Sequence, residues 1–126
     1  MENEIERALK NDLVIDITTI GRKSGKPRRL EIWFHNLNGE LYLTGSPGKK
    51  RDWLANLIAT PEFTFHLKRS MRADIPAIAT PIFDESSRRE IIARLHEKMA
   101  GERDLEEWVK GSPLVKFELD VENATY

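Results

Sequence analysis

The chain has 126 residues, 20 Lys and Arg against 21 Asp and Glu, and a formal net charge of −1. That length fits one domain over residues 1–126, and the absence of cysteine excludes disulfides and thiolate metal sites. No run approaches the roughly 18–20 apolar residues of a membrane helix, and the charged start MENEIERALK lacks the apolar stretch of a signal peptide, so the expected setting is the cytoplasm.

Residues 2–10 are expected as a short helix or a frayed arm. Residues 12–20 (DLVIDITTI) are rich in β-branched side chains and read as a strand. GRKSGKP then supplies glycines, serine and proline for a turn. Residues 28–35 (RRLEIWFH) alternate, with Leu30, Ile32 and Phe34 on one face and Arg29, Glu31, Trp33 and His35 on the other. Asn38-Gly39 supplies the positive φ angles of a tight hairpin, and residues 40–45 return as a strand. After SPGKKR a helix is expected to begin near Asp52, with Trp53, Leu54, Leu57 and Ile58 at helical spacing and Pro61 ending the run.

Residues 62–68 (EFTFHLK) alternate again. Residues 71–82 read as a strand in which Pro76 demands an edge or a bulge. Ser87 and Glu90 fit a capping box for a helix with Ile91, Ile92, Leu95 and Met99 on its apolar face and Gly101 closing it. A short helix is expected from about Glu102 to Lys110, broken by Gly111-Ser112-Pro113. Residues 114–121 alternate as the last strand. The order lacks regular βαβ alternation, which argues against a doubly wound parallel sheet. Six or so short antiparallel strands with two to three helices suggest a small barrel.

Charge is unevenly spread. Between Gly21 and Arg51 lie Arg22, Lys23, Lys26, Arg28, Arg29, Lys49, Lys50 and Arg51, against Glu31 and Glu40 only. Such an excess favours an anionic ligand. In the turn 21–29, glycines let backbone N–H groups approach an anion, and Arg and Lys add charge-assisted hydrogen bonds. The same turn also reads as a solvated basic hairpin tip. It is no Walker A loop, since the glycine spacing is wrong and no helix follows. In residues 46–53, a Ser-Pro-Gly turn and three cations lead into a helix start, which suits a phosphate or merely a basic helix entrance. Trp33 shares its strand face with Arg29, where an indole can stack on a planar ring. Trp53 fits the core, and Trp108 fits either a pocket wall or amphipathic packing.

His35, His66 and His96 lack metal-ligand spacing, and no metal site is expected. His35 and His66 are expected at the surface or hydrogen-bonded. Ser24, Ser46 and Ser112 lack a nucleophile-elbow setting, and no acid pair suits glycoside hydrolysis. An enzyme built this way needs a cofactor for its chemistry.

ITTIGRKSGKPRRLEIWF, followed after a strand by LTGSPGKKRDWLANLIATPEF, resembles the deazaflavin-dependent nitroreductase family of split β-barrel flavin and deazaflavin oxidoreductases. The residues that carry the likeness are Thr18, Thr19, Gly21, Arg22, Lys23, Ser24, Gly25 and Arg28, then Trp33, Ser46, Gly48, Trp53, Asn56, Leu57 and Ala59-Thr60-Pro61. The resemblance implies a split barrel that binds coenzyme F-420, a deazaflavin, or flavin mononucleotide (FMN) in related branches. It implies that Arg22, Lys23 and Arg28, with Ser24 in the same turn, contact the cofactor's phosphate and glutamate tail. Trp33 would lie beside the ring system, and Ser46 and Gly48 in a loop near the phosphate. Lys49, Lys50 and Arg51 would replace the charge of a family lysine where Pro47 stands. Trp53 would belong to the same binding region and Trp108 to the substrate side. Lys26 and Arg29 are expected to be solvated.

The expected function is hydride transfer from reduced F-420 to a small-molecule acceptor: a quinone, an activated alkene or a nitro compound. By the same analogy the protein is expected as a homodimer. Two alternatives stand beside it. One is an FMN-dependent oxidoreductase or FMN-binding protein of the same fold. The other is a non-catalytic cofactor carrier or nucleic-acid-binding barrel. Slightly negative total charge and few aromatics on the basic strands argue against nucleic acid.

Overall fold

The computed structural model describes residues 3–98 and 104–126. Six strands close into an antiparallel barrel in the order β1-β2-β3-β6-β5-β4, with β4 returning to β1. They are β1 Val14–Ile20, β2 Pro27–Leu37, β3 Glu40–Thr44, β4 Glu62–Leu67, β5 Ala73–Pro81 and β6 Leu114–Leu119. Four α-helices accompany them, α1 Glu4–Asn11, α2 Asp52–Ala59, α3 Glu85–Lys98 and α4 Leu105–Gly111. That is one or two more than the sequence suggested, because the N-terminal arm is a true helix. Asn3 caps it by accepting a hydrogen bond from the Glu6 amide, and its Ile5 and Ala8 reach the core.

Alternation drives the barrel. Ile15, Ile17, Phe34, Leu41, Leu43, Phe63, Phe65, Leu67, Ile75, Ala77, Ala79, Val115 and Phe117 are buried together. Phe34, Phe65, Phe117 and Phe63 form a chain of ring contacts 5.4–5.7 Å apart, spacings at which aromatic pairs attract beyond their area burial. The Asn38-Gly39 hairpin has φ of 54° and 95° and sets Leu37 opposite Glu40. Pro76 lies inside β5 opposite Thr64. Its carbonyl accepts from the Asp120 amide, just beyond the last β5–β6 pair, Ala77 with Leu119. Its missing N–H therefore falls at the margin of the β5–β6 pairing, where only the reciprocal bond to Asp120 is lost and proline is tolerated.

A second apolar cluster holds α3 and α4 against the outside of the barrel. It joins Ile92 and Leu95 to Trp108 and Val109, and both pairs to Leu37, Tyr42 and Leu114. Arg88 fastens this layer, donating to the carbonyls of Ile82, Val109 and Ser112 at 2.6–3.1 Å. Burial holds its guanidinium below the ordinary arginine value.

Several boundaries differ from expectation. α3 begins at Glu85, and its cap is Asp84, whose carboxylate takes the Ser87 amide and hydroxyl at 2.9 and 2.8 Å. Asp84 outcompetes the Ser87 capping box because a carboxylate is the stronger acceptor for an orphan amide. α4 starts at Leu105 under an Asp104 cap. The expected roles of Met99, Gly101 and Glu102 fall outside the described residues. Ile58 faces outward at 51% exposure, since α2 buries only Trp53, Asn56 and Leu57. His35 is buried rather than at the surface, because α3 covers that stretch of β2.

Candidate functional site

The turn between β1 and β2 is built by its own polar groups. The Gly21 amide donates to the Lys26 carbonyl and the Gly25 amide to the Gly21 carbonyl, both at 2.8 Å. Ser24 Oγ accepts from the Lys26 amide at 3.2 Å. A Cβ on Gly21 would stand 2.5 Å from Ser24 Oγ and 3.3 Å from the Lys26 carbonyl, so a side chain there would open the turn. Gly25 has φ +69°, the left-handed conformation glycine accepts at least cost.

Asn56 on α2 fixes this turn to the barrel. Its side-chain oxygen accepts from both the backbone amide and the guanidinium of Arg22 at 3.1 Å. Its side-chain nitrogen donates to Thr19 Oγ at 3.1 Å. Arg22 also meets Asp52 at 3.3 Å. Arg29 pairs with Asp16 at 2.9 Å, so it is ion-paired rather than simply solvated. Burial works to raise the Asp16 pKa, and Lys68 and Arg29 together hold it below the ordinary carboxylate value. Lys68 also bonds Glu31, which relieves the like-charge pair that the β1–β2 register creates by setting Asp16 opposite Glu31.

Around this frame lie two adjoining cavities. The first, about 580 Å3, is a basic groove lined by Arg22, Lys23, Ser24, Arg28 and Arg29, with Thr19 and Asn56 on its floor. Lys23 and Arg28 have no acidic partner among the described residues, so their charge is available to an anion. The second, about 800 Å3, carries Trp33, Trp53 and Trp108, with Ser46 and Arg51 on one side and His35, His96 and Lys98 on another. That volume is ordinary for a site that takes a drug-sized ligand. The two cavities share Leu30 and Trp53.

Each indole reaches the second cavity differently. Trp33 lies on β2 and is 58% exposed, an uncommon setting for tryptophan. Trp53 is 8% exposed, part core and part wall, on the first turn of α2. Trp108 is 6% exposed and is presented by α4. Arg51 lies over Gly45, where a Cβ would come 2.6 Å from its guanidinium. Burial pulls the Arg51 pKa below its ordinary value.

The structure gathers most of the predicted set but not all. Arg22, Lys23, Ser24, Arg28, Trp33, Ser46, Arg51, Trp53 and Trp108 line one cavity or the other. Ser46 lies with the indoles, not with the basic turn. Gly48, Lys49 and Lys50 line neither. Gly48 has φ +81°, and its amide donates to the Gly111 carbonyl at 3.3 Å. The loop thus docks on the end of α4, and its lysines point to solvent. Asn56, Leu30, Gly45, His35, His96 and Lys98 are present where the sequence reading assigned no cofactor or acceptor role. Glycine before the Ser-Pro-Gly turn was a usable signal for Gly45. No local pattern joins His35 to His96 and Lys98.

Among the described residues no group of three or more His, Asp and Glu is placed to hold a metal. No helix among them is long and apolar enough to cross a membrane. Comparison with known proteins adds context. No curated protein sequence matches this one. Several solved structures share the fold at low identity. One is an F420 reductase at 14% identity and TM-score 0.70, covering 99% of this chain and 98% of that one. Another is the heme storage protein HutZ from Vibrio cholerae, at 15% and 0.71, covering 97% and 91%. A third is a structure described as a pyridoxamine 5'-phosphate oxidase from Listeria innocua, at 15% and 0.69, covering 97% and 94%. The sequence itself is matched over residues 1–114 by the family model of the F420H(2)-dependent quinone reductase, and the chain belongs to that family.

Proposed function

We propose that this protein is a cytoplasmic oxidoreductase that uses reduced coenzyme F-420 to reduce a quinone, an activated alkene or a nitro compound. The observation that carries the reading is the junction at Leu30 and Trp53, where a basic groove that offers Lys23 and Arg28 to a ligand runs into a cavity walled by indoles. A deazaflavin cofactor has the same two-part chemistry, an anionic tail on a planar ring, and the donor set fits it. The family membership supports the same choice.

Lys23 and Arg28 would hold the tail by charge-assisted hydrogen bonds. Arg22 adds charge from a position fixed by Asn56. Trp33 and Trp53 would bound the ring by stacking and exclude water from its face. When bound, the reduced deazaflavin supplies a hydride from its C5 position. The protein's share is orientation and a dry, positively biased site. Ser46 and Arg51 bring polar contacts to the ring side. Gly48, Lys49 and Lys50 are left outside this arrangement. Pairing of two copies belongs to the same proposal, because Leu13 and Trp33 leave an exposed apolar rim at the cavity mouth; light scattering tests it.

Anaerobic titration of the purified chain with F-420 and separately with FMN decides the cofactor. Saturable F-420 binding that quenches tryptophan fluorescence is expected. Tight FMN binding with no F-420 binding would overturn the proposal in favour of a flavin protein of the same fold.

A further inference from the structure

We propose that the end of the aromatic cavity farthest from the basic turn is the site for the acceptor's reducible oxygen, with Lys98, His96 and His35 supplying its hydrogen bonds. The inference deepens the deazaflavin reading and rests on it for the identity of the reductant. It starts from position along β2. Leu30 sits at the junction with the groove, and His35 lies five residues farther along the strand, about 17 Å away at strand rise. A cofactor tied by its tail at Lys23 and Arg28 brings its ring in past Leu30 and Trp53. The His35 end is then left for the second reactant.

That end has its own chemistry. The last turn of α3 crosses β2 there, and the Lys98 ammonium donates to the Asn36 carbonyl at 3.0 Å. This bond takes one of its three N–H donors and anchors the charge at the cavity. His96, two residues earlier on the same helix, also lines the cavity, and His35 beside them is 6% exposed. Burial, with help from Lys98, lowers the His35 pKa to about 4, so this imidazole is neutral near pH 7 and carries one N–H donor. Glu31 is the only acid among the described residues that line this cavity. It belongs to the Lys68 and Asp16 network near the groove. The far end is therefore a patch of donors with a net positive bias and no competing carboxylate among the described residues.

Such a patch suits an oxygen that gains negative charge. Hydride arrival forms one new bond to hydrogen on the acceptor and oxidises the deazaflavin by two electrons. The electron pair displaced from the acceptor's π bond collects on its oxygen, and one proton from solvent completes the reduction. Donors already aimed at that oxygen stabilise the charge as it develops. The inference favours acceptors whose oxygen is conjugated to the reacting atom: quinones first, then enones.

The test needs no cofactor. The protein is titrated with 1-hydroxy-2-naphthoate, a planar ring carrying an anionic oxygen group, and with uncharged 2-methylnaphthalene, both followed by tryptophan fluorescence. Lys98→Met is expected to weaken the naphthoate by about tenfold, the scale of one charge-assisted hydrogen bond. It is expected to leave 2-methylnaphthalene unchanged, and Lys98→Arg is expected to restore most of the loss. His96→Leu is expected to give a smaller loss of the same selectivity. Equal naphthoate affinity in wild type and Lys98→Met overturns the inference. So does a loss caused by Arg28→Ala instead, which would place the anion in the basic groove. F-420 titration of the same Lys98→Met protein separates the two proposals. Lost naphthoate selectivity with intact F-420 binding supports both. Naphthoate selectivity in a wild-type protein that binds no F-420 keeps the site and removes the deazaflavin.

Discussion

The basic groove and the aromatic cavity meet at two residues, yet they are made in opposite ways. The groove is prepaid structure: its turn, its glycines and two of its arginines are tied down by Asn56, Asp52, Asp16 and the turn's own amides. Lys23 and Arg28 are what remains for a ligand. The indoles of the aromatic cavity come from three distant segments, and they range from 58% exposed at Trp33 to 6% at Trp108. A cluster of positive charge in a sequence thus overstates the cations on offer. A cavity wall drawn from scattered tryptophans is understated by any local reading.

The sharpest way to break this comparison is at Trp53, which serves core and both cavities at once. Trp53→Ala is expected to cost about 3–5 kcal/mol of stability, as large aromatic truncations in a core do. Trp33→Ala, on an exposed side chain, is expected to stay within about 0.5 kcal/mol while still weakening cofactor binding. Chemical denaturation and cofactor titration of both variants check it. Equal destabilisation would mean that the exposed indole is structural.

The next effect is a pH dependence seated in the aromatic cavity. His35 has a pKa near 4 in the folded protein because burial disfavours its charged form. The unfolded chain holds it near 6.5, so between those values the unfolded state binds the extra proton. Stability is therefore lost as pH falls from about 6.5 to about 4, by up to about 3 kcal/mol from this group. Below pH 4 the group adds no further loss. Denaturation of wild type and His35→Gln across that window should show a shallower slope in the variant. An unchanged slope would show that His35 is solvated. The groove contains no histidine, so no matching slope is expected from it.

Within the groove, Arg28→Ala is expected to lower F-420 affinity by about 1.5–3 kcal/mol, with no change in the denaturation midpoint. Asn56→Ala separates holding the ligand from holding the turn. It leaves Thr19 Oγ and the Arg22 amide without their partner, and is expected to cost about 1–3 kcal/mol of stability. Its cofactor affinity should fall only as far as the turn loosens. If Arg28→Ala destabilises the fold while Asn56→Ala does not, the division of labour in the groove is the reverse of that described.

What was legible in the sequence follows from how local each feature is. The barrel strands showed because alternation of Ile, Phe and Leu is written over five to eleven consecutive residues. The basic turn showed because its five cations lie within nine residues. The polar end of the cavity did not, since His35 meets His96 and Lys98 only after α3 folds back across β2. Tertiary cover also made His35 a buried residue on a face where Trp33, two residues earlier, is exposed. Ile58 misled for the converse reason: helical spacing marks a face, but α2 is too short to bury all of it.

The second basic loop supplies the last and smallest effect. Lys49 and Lys50 sit beside a Ser-Pro-Gly turn ahead of a helix, a sequence pattern that invites a phosphate. Folding spends that pattern differently. Gly48 donates its amide to Gly111, the chain from Ser46 turns onto the end of α4, and a Cβ on Gly111 would meet Pro47 at 3.0 Å. The two lysines are left exposed, off both cavities, where solvent screening leaves a surface charge worth little. The double variant Lys49→Ala/Lys50→Ala is expected to bind F-420 within about twofold of wild type at physiological salt. A loss as large as that of Arg28→Ala would mean the loop closes over the ligand, and the anionic tail would then run across the indoles instead of along the turn.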